Sequence, residues 1–70
     1  MLRLNATQVI SVLKSYDFIL VSQRGSHQKW RNPETLRQVI VPYHRGKQLP
    51  PGTLNSIIEG SCIPEDQFHT

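Results

Sequence analysis

The sequence has little of what stabilises small secreted or membrane proteins. Cysteine occurs once, at Cys62, so no disulfide can form within the chain. No apolar run approaches the length of a membrane span, and the residues after Met1 show no signal-peptide pattern. The spacing of His27, His44 and His69 matches no short metal-ligand motif. These absences favour a cytoplasmic protein without a metal or other cofactor.

Aromatic and acidic residues are also scarce. Aromatic side chains make up 7% of the 70 residues, and a chain of this length predicts one domain, 1–70, with a small core. Function is therefore expected on the surface or in a shallow groove. Five Asp and Glu against eight Lys and Arg leave a net charge of +3. That excess favours contact with nucleic-acid phosphates, although it also suits an ordinary soluble surface.

The first segment has the pattern of an amphipathic helix. Asn5 is a favourable N-cap and Gln8 can complete a capping box, which predicts a helix from about Ala6 to Ser15 or Tyr16. Its apolar residues recur at helical spacing. The predicted buried stripe is Val9, Val12, Leu13 and Tyr16.

A second helix is predicted near the end of the chain. It should begin near Pro51, since proline is favoured in a first turn, and Gly60 fits its C-terminal cap. Cys62 is interpreted as a small buried apolar residue, and the tail that contains Phe68 is expected to add a further helical turn. The predicted buried stripe is Leu54, Ile57 and Ile58.

Three short segments between the helices have strand character. An apolar run begins at Phe18 and should reach about Gln23; His27–Arg31 and Leu36–Pro42 follow after turns at 24–26 and 32–35. The order predicts an α+β fold, α-β-β-β-α, with both helices on one face of a three-stranded antiparallel sheet. The opposite face is left open to water or to a partner.

The second strand carries the residues that are best suited to proton transfer and phosphate binding. Alternation places His27, Lys29 and Arg31 on one face and Gln28 and Trp30 on the other, where the tryptophan is expected in the core. Histidine can accept or donate a proton near neutral pH, and the two cations suit phosphate. An ordinary surface histidine is the competing interpretation. Ser26, which precedes His27, is interpreted as a turn residue and not as a nucleophile paired with His27, because adjacent strand residues point to opposite faces.

A second basic cluster follows the third strand. It comprises His44, Arg45 and Lys47. The sequence leaves two interpretations open: the cluster contacts phosphates or supplies a second acid-base group, or it is a solvated loop.

Several motifs follow one another along the chain. Residues 23–27 followed by 29–31 place Gly-Ser-His at the start of a strand, and 39–44 form the third strand and its exit. Residues 47–49 have the pattern Lys-x-Leu, and 51–58 open the second helix with Gly-Thr-Leu. In order and spacing, and over nearly the whole chain, these motifs resemble those of the HicA (YcfA-like) toxin family.

This resemblance implies a double-stranded-RNA-binding-like fold and an endoribonuclease that cleaves mRNA, neutralised by a HicB-type antitoxin that covers the active-site histidine. The matching position is His27, which would act as acid or base while a ribose 2′-hydroxyl attacks the phosphate. DNA by itself cannot be a substrate, because it lacks that hydroxyl. The leaving-oxygen acid stays open among His44, Lys29 and Lys47. The expected RNA-binding residues are Arg24, Lys29, Arg31, His44 and Lys47.

Two alternatives remain. The first is a non-catalytic RNA-binding module of the same fold, which would bind duplex RNA by shape. Such modules carry lysines at the start of the second helix, whereas 51–55 contain no positive charge. The second is a protein-interaction module that binds its partner through the open sheet face.

Overall fold

A computed structural model describes residues 2–69, and the elements follow the predicted order α-β-β-β-α. The α+β fold with one three-stranded antiparallel sheet is therefore confirmed. Within residues 2–69, no helix is long and apolar enough to cross a membrane. The elements are α1 (Ala6–Ser15), β1 (Ile19–Arg24), β2 (His27–Arg31), β3 (Gln38–Pro42), α2 (Pro51–Ser61) and a 3-10 helix (Glu65–Gln67).

The capping box predicted for α1 is present. The Asn5 side chain accepts a hydrogen bond from the Gln8 N–H, and the Gln8 side chain accepts one from the Asn5 N–H, each at 2.9 Å. The predicted stripe is wrong at its end, because the helix stops at Ser15 and Tyr16 becomes an exposed C-cap. The residues of α1 that are buried are Ala6, Val9, Ile10 and Leu13.

The sheet is a meander in the order β1-β2-β3. Gly25 and Ser26 form the two-residue connection between β1 and β2, and Gly25 takes a φ of +60°, which glycine adopts without a steric penalty. Phe18 was predicted to open β1 but lies buried just before it, and the strand extends one residue further than expected, to Arg24.

The connection between β2 and β3 is longer than predicted. The Asn32 side chain accepts hydrogen bonds from the N–H groups of Glu34 and Thr35 and donates one to the Tyr16 carbonyl at 2.9 Å. These bonds hold a turn that places Leu36 at φ +64° with 62% of its surface exposed. The prediction that β3 begins at Leu36 is therefore wrong, because a residue with positive φ is not extended, and the strand begins only at Gln38.

The C-terminal end of α2 also differs from the prediction. Gly60 lies inside the helix rather than at its cap, and a Cβ there would be 3.0 Å from the Val39 Cγ1 atom. Its role is thus close packing of α2 on β3. The C-cap is Cys62 in the left-handed region, and its side chain is exposed, not buried as predicted. Ser61 is buried instead, donating a hydrogen bond to the Ile58 carbonyl at 2.8 Å.

Both helices pack on the same face of the sheet, as predicted. Trp30, Val39 and Val41 provide the strand side of this core, and the helices provide their apolar stripes. The tail returns to the core through Ile63 and Phe68. The core does not extend over β1, where all six residues are exposed. The opposite face of the sheet is open along β1, β2 and β3.

Candidate active site on the open face of the sheet

Strand β2 presents its charged residues on the open face, as the sequence predicts. Trp30 is 5% exposed and lies in the core, so its neighbours Lys29 and Arg31 point away from the helices. The same alternation places His27 on the open face, where its side chain is exposed. In the register of the sheet, His27 is flanked by Arg24 on β1 and Pro42 on β3.

An irregularity in β1 decides which side chain faces His27. Leu20 pairs with Trp30 and Ser22 pairs with Lys29, so Val21 is an additional residue that forms a β-bulge. Strict alternation from Ile19 would put Arg24 on the core face. The bulge reverses the alternation and brings Arg24 to the open face, directly across from His27.

These residues border one shallow groove of about 440 Å³. Three of its lining side chains can be cationic, and no carboxylate lines it. The groove therefore suits an anionic group such as a phosphodiester. Its lining residues are Ser22, Gln23, Arg24, His27, Lys29 and Ile40.

The basic loop after β3 joins the same end of the sheet. The Tyr43 N–H donates a hydrogen bond of 2.7 Å to the Ser26 carbonyl, which ties the start of the loop to the β1–β2 turn. His44 and Lys47 follow as exposed side chains, and the Lys47 N–H donates to the His44 carbonyl at 3.1 Å. The loop thus borders the end of the sheet that carries His27.

Comparison with protein families identifies the chain. A family model described as the HicA toxin of bacterial toxin–antitoxin systems matches residues 6–61, four fifths of the 70 residues. This chain belongs to the HicA toxin family. A search of the curated proteins finds no match. The matched part of the toxin contains both helices, the whole sheet and every residue that lines the groove.

A chain of side-chain hydrogen bonds supports the hairpin of the HicA toxin from the core side. The Trp30 Nε1–H donates to Gln28 Oε1 at 3.1 Å, and Gln28 Nε2 donates to Gln23 Oε1 at 3.4 Å. Gln23 Nε2 in turn donates to the Gly25 carbonyl at 3.0 Å. These bonds connect the buried tryptophan to the hairpin tip, which holds the open-face residues Arg24 and His27 in register.

The remaining predicted residue lies apart from the groove. Arg31 shares the open face but pairs with Ile19 and Gln38 at the opposite end of β2 from His27. Three groove residues, Ser22, Gln23 and Ile40, are not among the site residues predicted from the sequence. Ser22 reaches the groove only because of the bulge, which periodicity does not reveal. Among residues 2–69, no three His, Cys, Asp or Glu side chains come together in a way that suits a metal ion.

Proposed function

We propose that this HicA toxin is a metal-independent endoribonuclease that cleaves mRNA and thereby inhibits translation. The observation that carries the proposal is the position of His27: exposed, on the open face, opposite Arg24 and in one groove with Lys29. A proton-transferring side chain next to two cations suits the cleavage of a phosphodiester.

In the proposed reaction the RNA supplies its own nucleophile. His27 accepts the proton of a ribose 2′-hydroxyl while the 2′-oxygen attacks the adjacent phosphorus. The bond from phosphorus to the 5′-oxygen breaks, and that oxygen takes up a proton. The products are a 2′,3′-cyclic phosphate and a 5′-hydroxyl end, and no water is consumed in this step.

The cations of the open face would position and stabilise the phosphates. Arg24 and Lys29 line the groove, so they are placed to balance the charge that develops on the non-bridging oxygens. Lys29 is the leaving-group acid candidate inside the groove, whereas His44 and Lys47 are candidates on the adjoining loop. Arg31 would bind a neighbouring phosphate further along β2.

The start of α2 favours single-stranded over duplex RNA. A non-catalytic duplex-binding module would need cations there, but Pro50 caps the helix without a side-chain hydrogen bond and Pro51, Gly52 and Thr53 form its first turn. The open face instead offers a local groove at one end of the sheet. We therefore place the RNA on the open face rather than across the helices.

Membership in this family implies an antitoxin partner, which we propose to be of the HicB type. We expect the pair to act in the cytoplasm, where mRNA is translated.

The cleavage reaction itself is the first test. Purified toxin in EDTA should cut a single-stranded RNA and leave cyclic phosphate and 5′-hydroxyl ends, whereas the DNA of the same sequence should remain intact. Product ends are identified by mass spectrometry. If the toxin binds the RNA but leaves it intact, the proposed endoribonuclease activity is wrong and the non-catalytic RNA-binding module is supported.

Arg24 allows a sharper test of the groove. Arg24→Ala should lower the cleavage rate by about 10- to 100-fold, because a hydrogen bond to a charged group contributes about 1.5–3 kcal/mol. Arg37→Ala is the matched control, since it removes the same charge from an exposed side chain near the opposite end of the sheet. Equal losses in the two variants would show that only net charge matters.

A further inference from the structure

Strand β1 is an edge strand that is left uncovered on both faces. It pairs only with β2, and Ile19, Leu20 and Val21 expose 52%, 45% and 44% of their surface. Natural sheets usually protect such an edge with charged residues, proline, a β-bulge or a covering element, and of these residues 19–21 have only the bulge at Val21. Three consecutive exposed apolar residues at a free edge are instead a surface on which another chain can pair.

Each face of the sheet has an apolar groove beside this edge. On the open face, a groove of about 300 Å³ is lined by Ile19, Val21, Arg31, Pro33 and Leu36. On the core face, a groove of about 650 Å³ lies between the end of α1 and the start of β1. Its lining residues are Lys14, Asp17, Phe18, Ile19, Leu20 and Trp30. Ile19 borders both grooves.

We propose that the cognate antitoxin adds an extended strand to the free edge of β1 and inserts alternate side chains into these two grooves. Successive side chains of a strand point to opposite faces, so one added strand fills both grooves at once. Its main-chain groups pair with the free backbone groups of β1, and its side chains supply the specificity. Three exposed aliphatic residues call for aliphatic side chains on the partner.

Charge identifies an acidic partner rather than a second copy of the toxin. Arg31 is the charged residue that lines the open-face groove, whereas Lys14 and Asp17 offset each other in the core-face groove, so the added strand should carry a carboxylate beside Arg31. Two toxin copies paired through β1 would instead bring together open faces that each carry Arg24, Lys29 and Arg31. With a net charge of +3 on each chain, that arrangement is repulsive.

The proposed binding site for the antitoxin strand, residues 19–21 with the two apolar grooves beside them, is called the anchor. It is separate from the catalytic groove, although both include residues of β1. Val21 is the bulge residue, and three positions later Arg24 stands across from His27. An antitoxin chain that leaves the anchor along β1 therefore reaches the groove and can exclude RNA. This masking rests on the proposed function, whereas binding at the anchor does not.

The anchor can be tested without toxicity in a His27→Ala background. We expect Leu20→Asp and Val21→Asp each to weaken binding of the purified cognate antitoxin by about 100-fold, since each places a carboxylate in a central apolar contact. Val21→Thr keeps the β-branched shape and should lose less than about tenfold. Ser11→Asp, on an exposed position of α1, should bind as the parent does. Calorimetry gives the affinities, and thermal unfolding confirms that each variant folds.

Amide hydrogen exchange tests the strand addition itself. Antitoxin binding should slow exchange at amides within residues 19–21 that point away from β2. Unchanged affinity for the antitoxin in both Asp variants would overturn the proposal. The proposal would also be wrong if the toxin were a dimer that the Asp substitutions dissociate while antitoxin binding stays the same. In a toxin that carries His27, Leu20→Asp should still cleave RNA and escape neutralisation. A toxin that binds antitoxin at β1 but cuts no RNA would refute only the proposed function.

Discussion

His27→Ala should reduce RNA cleavage by about 10²- to 10⁴-fold, the range that a positioned general acid or base contributes. Alanine retains the strand and the groove but removes the only imidazole among the groove-lining residues. In cells the same substitution should abolish growth inhibition. The measurement is the single-turnover rate of RNA cleavage by parent and variant at equal concentration.

The structure provides a matched control for this variant. His69 is exposed and lies in the tail, outside the family match and outside the groove. His69→Ala should therefore cleave RNA at the parental rate. His27 is also exposed, so its loss should change the free energy of unfolding by less than about 0.5 kcal/mol. A His27→Ala protein that folds and remains fully toxic would refute the catalytic assignment.

Phe68→Ala should cost about 3–5 kcal/mol of the free energy of unfolding, the largest stability effect that we expect from one substitution in this toxin. The Phe68 side chain is 2% exposed and belongs to the main core, although it lies seven residues beyond the family match. A chain of 70 residues has only about 4–10 kcal/mol of stability in total. The variant should therefore be partly unfolded near physiological temperature, which urea unfolding measures.

Two features make this prediction specific to packing. The Phe68 N–H donates to the Glu65 carbonyl at 2.9 Å, and alanine preserves that bond, so the loss would come from the ring. Phe68→Leu retains most of the buried volume and should cost less than about 2 kcal/mol. A loss below 1 kcal/mol in Phe68→Ala would show that the tail is not part of the core.

Much of the fold could be predicted because short-range signals agree with one another. The capping box at Asn5 predicts the start of α1, and the change from helical to alternating spacing predicts the strands. The bounds of β2 were correct at both ends, because Gly25 and Asn32 mark the turns on either side.

The prediction for the start of β3 failed because hydrogen bonds of Asn32 override the local strand preference. Leu36 has strand character, but Asn32 accepts hydrogen bonds from the N–H groups of Glu34, Thr35 and Leu36, which hold the segment in a turn. Asn32 also donates to the Tyr16 carbonyl, a long-range contact that periodicity does not reveal.

The same division applies to the candidate site. Sequence alone determined that His27, Lys29 and Arg31 share a face of β2, because alternation is a local property of any strand. Only the tertiary structure decided that Arg24 faces His27, because a bulge is defined by pairing with another strand and not by the sequence of its own. Two further features could be seen only in the structure: Arg31 lies apart from the groove, and β1 is uncovered. Both features depend on which elements pack together.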